Sequence, residues 1–261
     1  MKLILRDWNW WAYFVRVRHR SGLPGIEQQD RELMDFAVDV LAVPAGGRIL
    51  DVASGCGSHA RILSRRGFEM VGLEIAPSLV EHARQRAAEE NLGAEFVQGD
   101  MRELAFDCGF EAVTCLSSSF GFFDDETNAA TLRRMARALK PGGRILLDLN
   151  SAEQAVHHTG ARWQELDGGY LLMRSAFDPL RGRLTNEFRY VDSGGALNLF
   201  DSGTDPATES IRLYSAPEIE ALFRSSDLLL VGIYGSLRLP PEPYRTGSSR
   251  YLAVGEKPGR L

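Results

Sequence analysis

Apolar residues recur along this chain with two periods, and the order in which the periods alternate predicts its architecture. Leu33, Phe36, Ala37, Val40 and Leu41 follow i, i+3, i+4, i+7, i+8 spacing, the mark of a helix with one buried face. Pro44 and Gly46-Gly47 end it, and short apolar runs then alternate with helical segments. RILDVA (48–53) reads as a buried strand, followed by a glycine turn and a short helix to about Arg66. FEMVGLE (68–74), AEFVQGD (94–100) and FEAVTCL (110–116) supply the next three strands, and RILLDLN (144–150) the fifth. Pro77 suits the first turn of the helix after the second strand, whose inner face is Leu79, Val80, Ala83 and Ala87. The helix before the fifth strand opens on Asp124, Asp125 and Glu126. It carries Arg133, Arg134, Arg137 and Lys140 towards its end, an order that complements the helix dipole, and Pro141-Gly142-Gly143 stops it. Strands separated by such helices predict a parallel sheet with right-handed crossovers.

The pattern changes from about Arg162 to Leu213. YLLMRSAF, RLTNEFRYV and the turn residues Asp178-Pro179 and Asp192-Ser193-Gly194-Gly195 predict neighbouring antiparallel strands. Helical signals return at Ser215 and Glu218, an S-x-x-E capping box, and LLLVGIYG (228–235) and RYLAVGE (250–256) read as two last strands. The fold class is therefore α/β, a doubly wound sheet with an antiparallel β insertion after strand five. The expected organisation is a helical lid or cap over 1–43, a core over 44–161 and 211–261, and an insertion over 162–210 that covers the sheet's carboxyl edge.

Composition narrows the function. In 261 residues, 44% are hydrophobic and 25% charged, as in a globular chain with a real core. A net charge of −5 argues against wholesale binding of nucleic acid or anionic membrane. Cys56, Cys108 and Cys115 have neither metal-ligand spacing nor the even number of a disulfide framework, which points to a cytoplasmic setting. No apolar run approaches the roughly 20 residues needed to span a bilayer.

The candidate chemistry centres on DVASGCGSHA (51–60). Gly55 and Gly57 follow a buried strand and precede a helix, permitting a tight turn and close approach of a ligand to backbone. Glu74 ends the second strand beside this turn, where an acid can accept hydrogen bonds from a ribose diol. These features fit a nicotinamide dinucleotide or a sulfonium nucleoside. Asp51 separates the two, because a carboxylate beside the glycine loop repels a pyrophosphate and suits a cation. Asp100 closes the third strand, placed to accept from an adenine amine while the Met101 N–H meets the ring.

RILDVASGCGSHA, GLEIAPSLVEHAR, FVQGDMREL, FEAVTCLSSSFGFF, LKPGGRILLDLN and RLYSAPEIEALF, in that order, resemble the class I S-adenosylmethionine-dependent methyltransferases, in particular the bacterial small-molecule branch. The resemblance implies a seven-stranded Rossmann-like sheet whose last strand runs antiparallel. It implies S-adenosylmethionine as cofactor and S-adenosylhomocysteine as product. By position it places Asp51, Ala53, Gly55 and Gly57 around the methionine part and Glu74 on the ribose. Ile75 would flank the adenine, Asp100 and Met101 would read its edge, and Ser117 would offer backbone near the ammonium. Ala53 departs from the family, which usually has glycine there.

The implied reaction is in-line methyl transfer to nitrogen or oxygen of a small-molecule acceptor. An NAD(P)-dependent oxidoreductase and a non-catalytic binder of the same cofactor are the alternatives. His157, His158 and Tyr214 are the candidate proton-handling residues. Trp11, Tyr13 and Phe14 are the candidate lid, or a fixed helix packed on the core. Phe120, with Phe122 and Phe123, lines the acceptor pocket or plugs the core. No metal is expected, since Asp148 and Asn150 do not form the adjacent pair of the metal-assisted subgroup. The expected partners are a small-molecule acceptor and, through an exposed edge of the insertion, a second copy of the chain; neither nucleic acid nor membrane is expected.

Overall fold

The computed structural model describes residues 26–166, 169–192, 207–245, 247–248 and 250–259. The chain begins there with α1 (Ile26–Leu41) and passes into β1 (Arg48–Val52), α2 (Ser58–Arg65), β2 (Glu69–Glu74), α3 (Pro77–Glu89) and β3 (Glu95–Gln98). After a 3₁₀ turn at Met101–Glu103 come β4 (Phe110–Cys115), α4 (Asp125–Ala138), β5 (Leu139–Asn150) and the short α5 (Ala152–Ala155). Four strands follow: β6 (Gly160–Leu166), β7 (Gly169–Asp178), β8 (Arg183–Asp192) and β9 (Ala207–Arg212). The chain returns through α6 (Ala216–Arg224) to β10 (Leu229–Tyr234) and β11 (Arg250–Glu256).

Seven strands form one sheet in the order β10-β11-β5-β4-β1-β2-β3. β1 to β5 pair in parallel, whereas β11 runs antiparallel to β5 and to β10. Strand alternation divides the core into two layers. Ile49, Met70, Ala112 and Leu146 pack with Phe36, Ala37 and Val40 of α1, Leu63 of α2 and Ala83 of α3. Leu50, Val71, Val113 and Ile145 pack with Leu132 and Met135 of α4 and Ile219 and Phe223 of α6. This is the doubly wound arrangement, with the reversal of strand order at β1 and β4 opening a crevice at the carboxyl edge.

The fifth strand corrects the sequence reading. Leu139 already pairs with Phe110 and Arg144 with Ala112, so Lys140 to Gly143 form a bulge inside a longer strand rather than a stop between helix and strand. Pro141 is tolerated because a bulge needs no ladder donor there. The capping box is formed: the Ser215 N–H donates to Glu218 Oε2 at 2.7 Å.

β6 to β9 form a second, antiparallel sheet inserted after β5. Its base is fastened to the loop after β4. The Arg212 N–H donates to the Gly121 carbonyl (2.7 Å) and the Arg183 guanidinium donates to the carbonyls of Phe122 and Phe123. Ile211 and Leu213 are buried against Ala155, with Phe122, Ala152, Phe177 and Leu184 around them. No helix among the described residues is long and apolar enough to cross a membrane.

Candidate active site

Parallel pairing brings the carboxyl ends of β1, β2 and β3 side by side, with Asp51 in register with Gly72 and Glu74 with Gln98. Gly55 and Gly57 turn the chain between β1 and α2 with φ of 57° and 75°. The Gly55 N–H donates to Glu74 Oε2 and the Ala76 N–H to Oε1, both at 2.9 Å. Glu74 thus ties the glycine bend to the tip of β2 while each of its oxygens keeps a lone pair for a hydroxyl. Burial raises its pKa, opposed by the amides of Ala76, Gly55 and Ile75.

Asp51 is buried, and Thr114 Oγ1 donates to its Oδ1 at 2.8 Å. Its Oδ2 is buried without a hydrogen-bond partner, as is Ser54 Oγ beside the bend. Burial raises the Asp51 pKa, opposed by His59 and by the Thr114 hydroxyl. A desolvated carboxylate oxygen without a hydrogen-bond partner is costly, and a cation beside it would offset that cost. A sulfonium nucleoside carrying an ammonium group supplies such a charge and fits these acceptor oxygens.

Alternation extends the polar row beyond Asp51. Thr114 and Asp148 occupy the same face of β4 and β5, and Arg250 reaches Asp148 from β11, Nε to Oδ1 at 3.1 Å. The Ser117 N–H donates to Asp148 Oδ2 at 2.9 Å. From the helical side His59 on α2 lies 3.4 Å from Asp30 of α1. Burial opposes the charged imidazolium, but Asp30, Asp51 and Asp148 together raise the His59 pKa. Sequence reading missed His59, Asp30 and Arg250 and weighed Asp148 only as a metal ligand. For Asp148 the signal was the parity it shares with Asp51 and Thr114 at successive strand ends.

The other expected residues divide. Gly57 needs to be glycine for packing, since a Cβ there would stand 2.6 Å from the Phe96 ring. Ala53 has a left-handed φ of 60°, a conformation that favours glycine. Ile75 is half-buried just beyond β2. Asp100 caps the 3₁₀ turn that Met101 opens: the Arg102 N–H donates to Oδ1 at 2.8 Å and Arg102 Nε to Oδ2 at 2.9 Å. Burial alone would raise the Asp100 pKa, but the Arg102 hydrogen bonds and charge hold it below the usual carboxylate range. The Ser117 amide is committed to Asp148, so only its carbonyl is left to meet an ammonium.

Phe120 is 1% exposed in the core, 5.9 Å from the Tyr214 ring. Tyr214 is buried as well. Asn128 Nδ2 donates to its hydroxyl at 2.9 Å, the hydroxyl donates to Asp125 Oδ1, and Arg212 covers the ring. Burial raises the Tyr214 pKa far above the phenol range, and its hydroxyl is tied to the first turn of α4. His157 is exposed on the 3₁₀ turn after α5. The His158 side chain and Trp11, Tyr13 and Phe14 lie outside the described residues. Among the described residues no cluster of His, Cys, Asp and Glu has metal-binding geometry.

A methyltransferase domain model matches residues 49–143, the stretch that carries β1 to β4 and the glycine bend. A putative methyltransferase of Bacillus subtilis, YqeM, is 33% identical over 179 residues, which is 66% of this chain and 72% of that protein. The demethylmenaquinone methyltransferase of Deinococcus radiodurans is 40% identical over 103 residues, so the chain spans 42% of that relative and matches it over 38% of its own length. Among solved structures, the S-adenosylmethionine-bound amino pentose methyltransferase CalS10 of Micromonospora echinaspora superposes with a TM-score of 0.66. Its identity is 21%, and the match covers 94% of this chain and 96% of that one. The chain belongs to the class I S-adenosylmethionine-dependent methyltransferases.

Proposed function

We propose that this chain transfers the methyl group of S-adenosylmethionine to a nitrogen or oxygen of a small-molecule acceptor. One observation carries the reading: the buried, unpartnered Oδ2 of Asp51 beside a glycine bend held by Glu74. A pyrophosphate would meet that carboxylate with repulsion, which sets aside a nicotinamide dinucleotide.

Asp51, Ala53, Gly55 and Gly57 surround the methionine part in this reading, with the Ser117 carbonyl beside the ammonium. Glu74 accepts from the ribose hydroxyls, Ile75 flanks the adenine, and Asp100 and Met101 meet its edge. The cofactor supplies an electrophilic methyl on a sulfonium. The chain binds it, excludes water and aligns the acceptor, an arrangement worth up to about 7–11 kcal/mol when collinear. The second sheet covers the acceptor in this reading. CalS10, whose described substrate is an amino pentose, favours an amine-bearing acceptor.

Calorimetry with S-adenosylhomocysteine on the wild type and on Glu74→Ala tests the cofactor half. Tight binding that weakens at least tenfold in the variant is expected, and no binding to the wild type would overturn the reading. A metabolite panel with labelled methyl donor then tests transfer. Tight binding with no acceptor methylated would leave a regulatory binder instead.

A further inference from the structure

The inner face of the second sheet carries an unexpected polar line. Alternation puts Phe177, Leu184 and Ile211 at its base, on the loops after β4 and β5. One step outward along the same face stand Ser175, Asn186 and Glu209, about 7 Å from that base at the rise of a β-strand. Ser175 Oγ donates to Asn186 Oδ1 and Asn186 Nδ2 donates to Glu209 Oε1, both at 2.6 Å. Ser175 and Asn186 are buried, and farther out Phe188 and Leu171 are buried again. A carboxylate between two apolar bands, held at one oxygen by an oriented amide, does not serve the packing of a sheet.

Its charge environment is sparse. Among described side chains, alternation gives this face one further charged residue, Arg162, on β6 at the far edge. Arg183 and Arg212 lie on the opposite face, Arg183 held by Ser210 and the Phe123 carbonyl, Arg212 by Asp125 and Glu218. Burial pushes the Glu209 carboxyl up to about 7, with the Asn186 amide pulling the other way. A group poised there exchanges a proton readily at neutral pH.

We propose that Glu209, positioned by Asn186 and Ser175, is the carboxylate that binds the acceptor's nucleophilic N–H or O–H group and receives its proton. This rests on the methyltransferase reading. The acceptor's lone pair forms the bond to the methyl carbon, the electrons of the breaking carbon–sulfur bond remain on sulfur, and the acceptor proton ends on a Glu209 oxygen. Glu209 thereby takes the role that sequence reading gave to His157, His158 and Tyr214.

Carboxyl-¹³C labelling of glutamate, with the Glu209 signal identified by its loss in Glu209→Gln, follows this group in protein saturated with S-adenosylhomocysteine. The expected midpoint is about 7. It should rise in Asn186→Leu, and fall when methylammonium chloride replaces sodium chloride at equal ionic strength. A Glu209 that titrates in the ordinary carboxylate range, or that ignores methylammonium, overturns the proposal. In any acceptor assay the rate should climb through the same midpoint in the wild type, lose that limb in Glu209→Gln and keep it in Glu209→Asp. Unchanged S-adenosylhomocysteine affinity in these variants shows that they fold. Absence of cofactor binding in the wild type would sink the methyltransferase reading instead, so the two failures are distinguishable.

Discussion

Ala53 holds φ of 60°, a conformation that costs a residue with a Cβ roughly 1–2 kcal/mol relative to glycine. Ala53→Gly should therefore raise stability by about 1 kcal/mol, offset in part by the freer unfolded chain, and shift the urea midpoint upward. An unchanged or lower midpoint would mean that the Ala53 methyl makes packing contacts worth the strain. Asp51 poses the opposite balance. Its unpartnered Oδ2 is a cost to the ligand-free fold and, in the proposed function, the seat of the ligand's charge. Asp51→Asn keeps an acceptor for Thr114, so it should raise the ligand-free melting temperature. It should also weaken S-adenosylhomocysteine binding by about 10–100-fold, the worth of one charge-assisted hydrogen bond. A variant that melts lower and binds as before would show that Asp51 is held for structure. Asp51 and Glu74 were legible because a strand's last residues follow from its apolar run. His59, Asp30 and Arg250 were not, because their meeting depends on helices and strands far apart in sequence.

Elements were legible where one period ran long enough, as in α1, β1 and α6, and blurred where backbone rules competed. Pro141-Gly142-Gly143 reads as a break in any window, yet the neighbouring β4 pairs on both sides of it and absorbs it as a bulge. Asp100 reads as a free acid at a strand end, yet Arg102, two residues on, bonds to both of its oxygens and leaves an open lone pair on Oδ1 alone. The line from Ser175 through Asn186 to Glu209 spans three strands whose register no short stretch specifies. In the proposed function, acceptor access depends on the joint between the two sheets. A Cβ on Gly121, at φ of 115°, would stand 2.4 Å from the Arg212 carbonyl oxygen, a contact that backbone cannot relieve cheaply. Gly121→Ala should cost upward of about 2 kcal/mol through strain and overpacking. Hydrogen exchange should locate the loss in β8 and β9, with amides of β1 and β2 still protected. Uniform loss of protection would show instead that the second sheet and the core unfold as one unit.

At the scale of the whole molecule, the carboxyl edge is a store of buried ionisable groups facing one crevice. Asp51, Asp148 and Glu74 all have raised pKa values, each chiefly through burial. A carboxyl whose folded pKa exceeds its unfolded value favours the fold at low pH, and that contribution is lost as pH rises through the folded value. His59 acts in the same direction, since its raised pKa stabilises the fold below the ordinary histidine value of 6.5 and fades as pH climbs through the raised one. The ligand-free protein should therefore lose stability with rising pH in this range, beyond what its surface acids predict. A cation entering beside Asp51 favours the ionised carboxylate, so any proton held there is released on binding. Calorimetry of S-adenosylmethionine binding at mildly acidic pH, in two buffers of different ionisation enthalpy, should thus report net proton release, and Asp51→Asn should reduce it. Equal heats in both buffers would show that the carboxylate is already ionised and that His59 alone carries the compensating charge. In the proposed function the crevice is prepared for a cation by carboxyls whose ionised form the empty fold disfavours, which ties the stability of the core to the chemistry proposed for it.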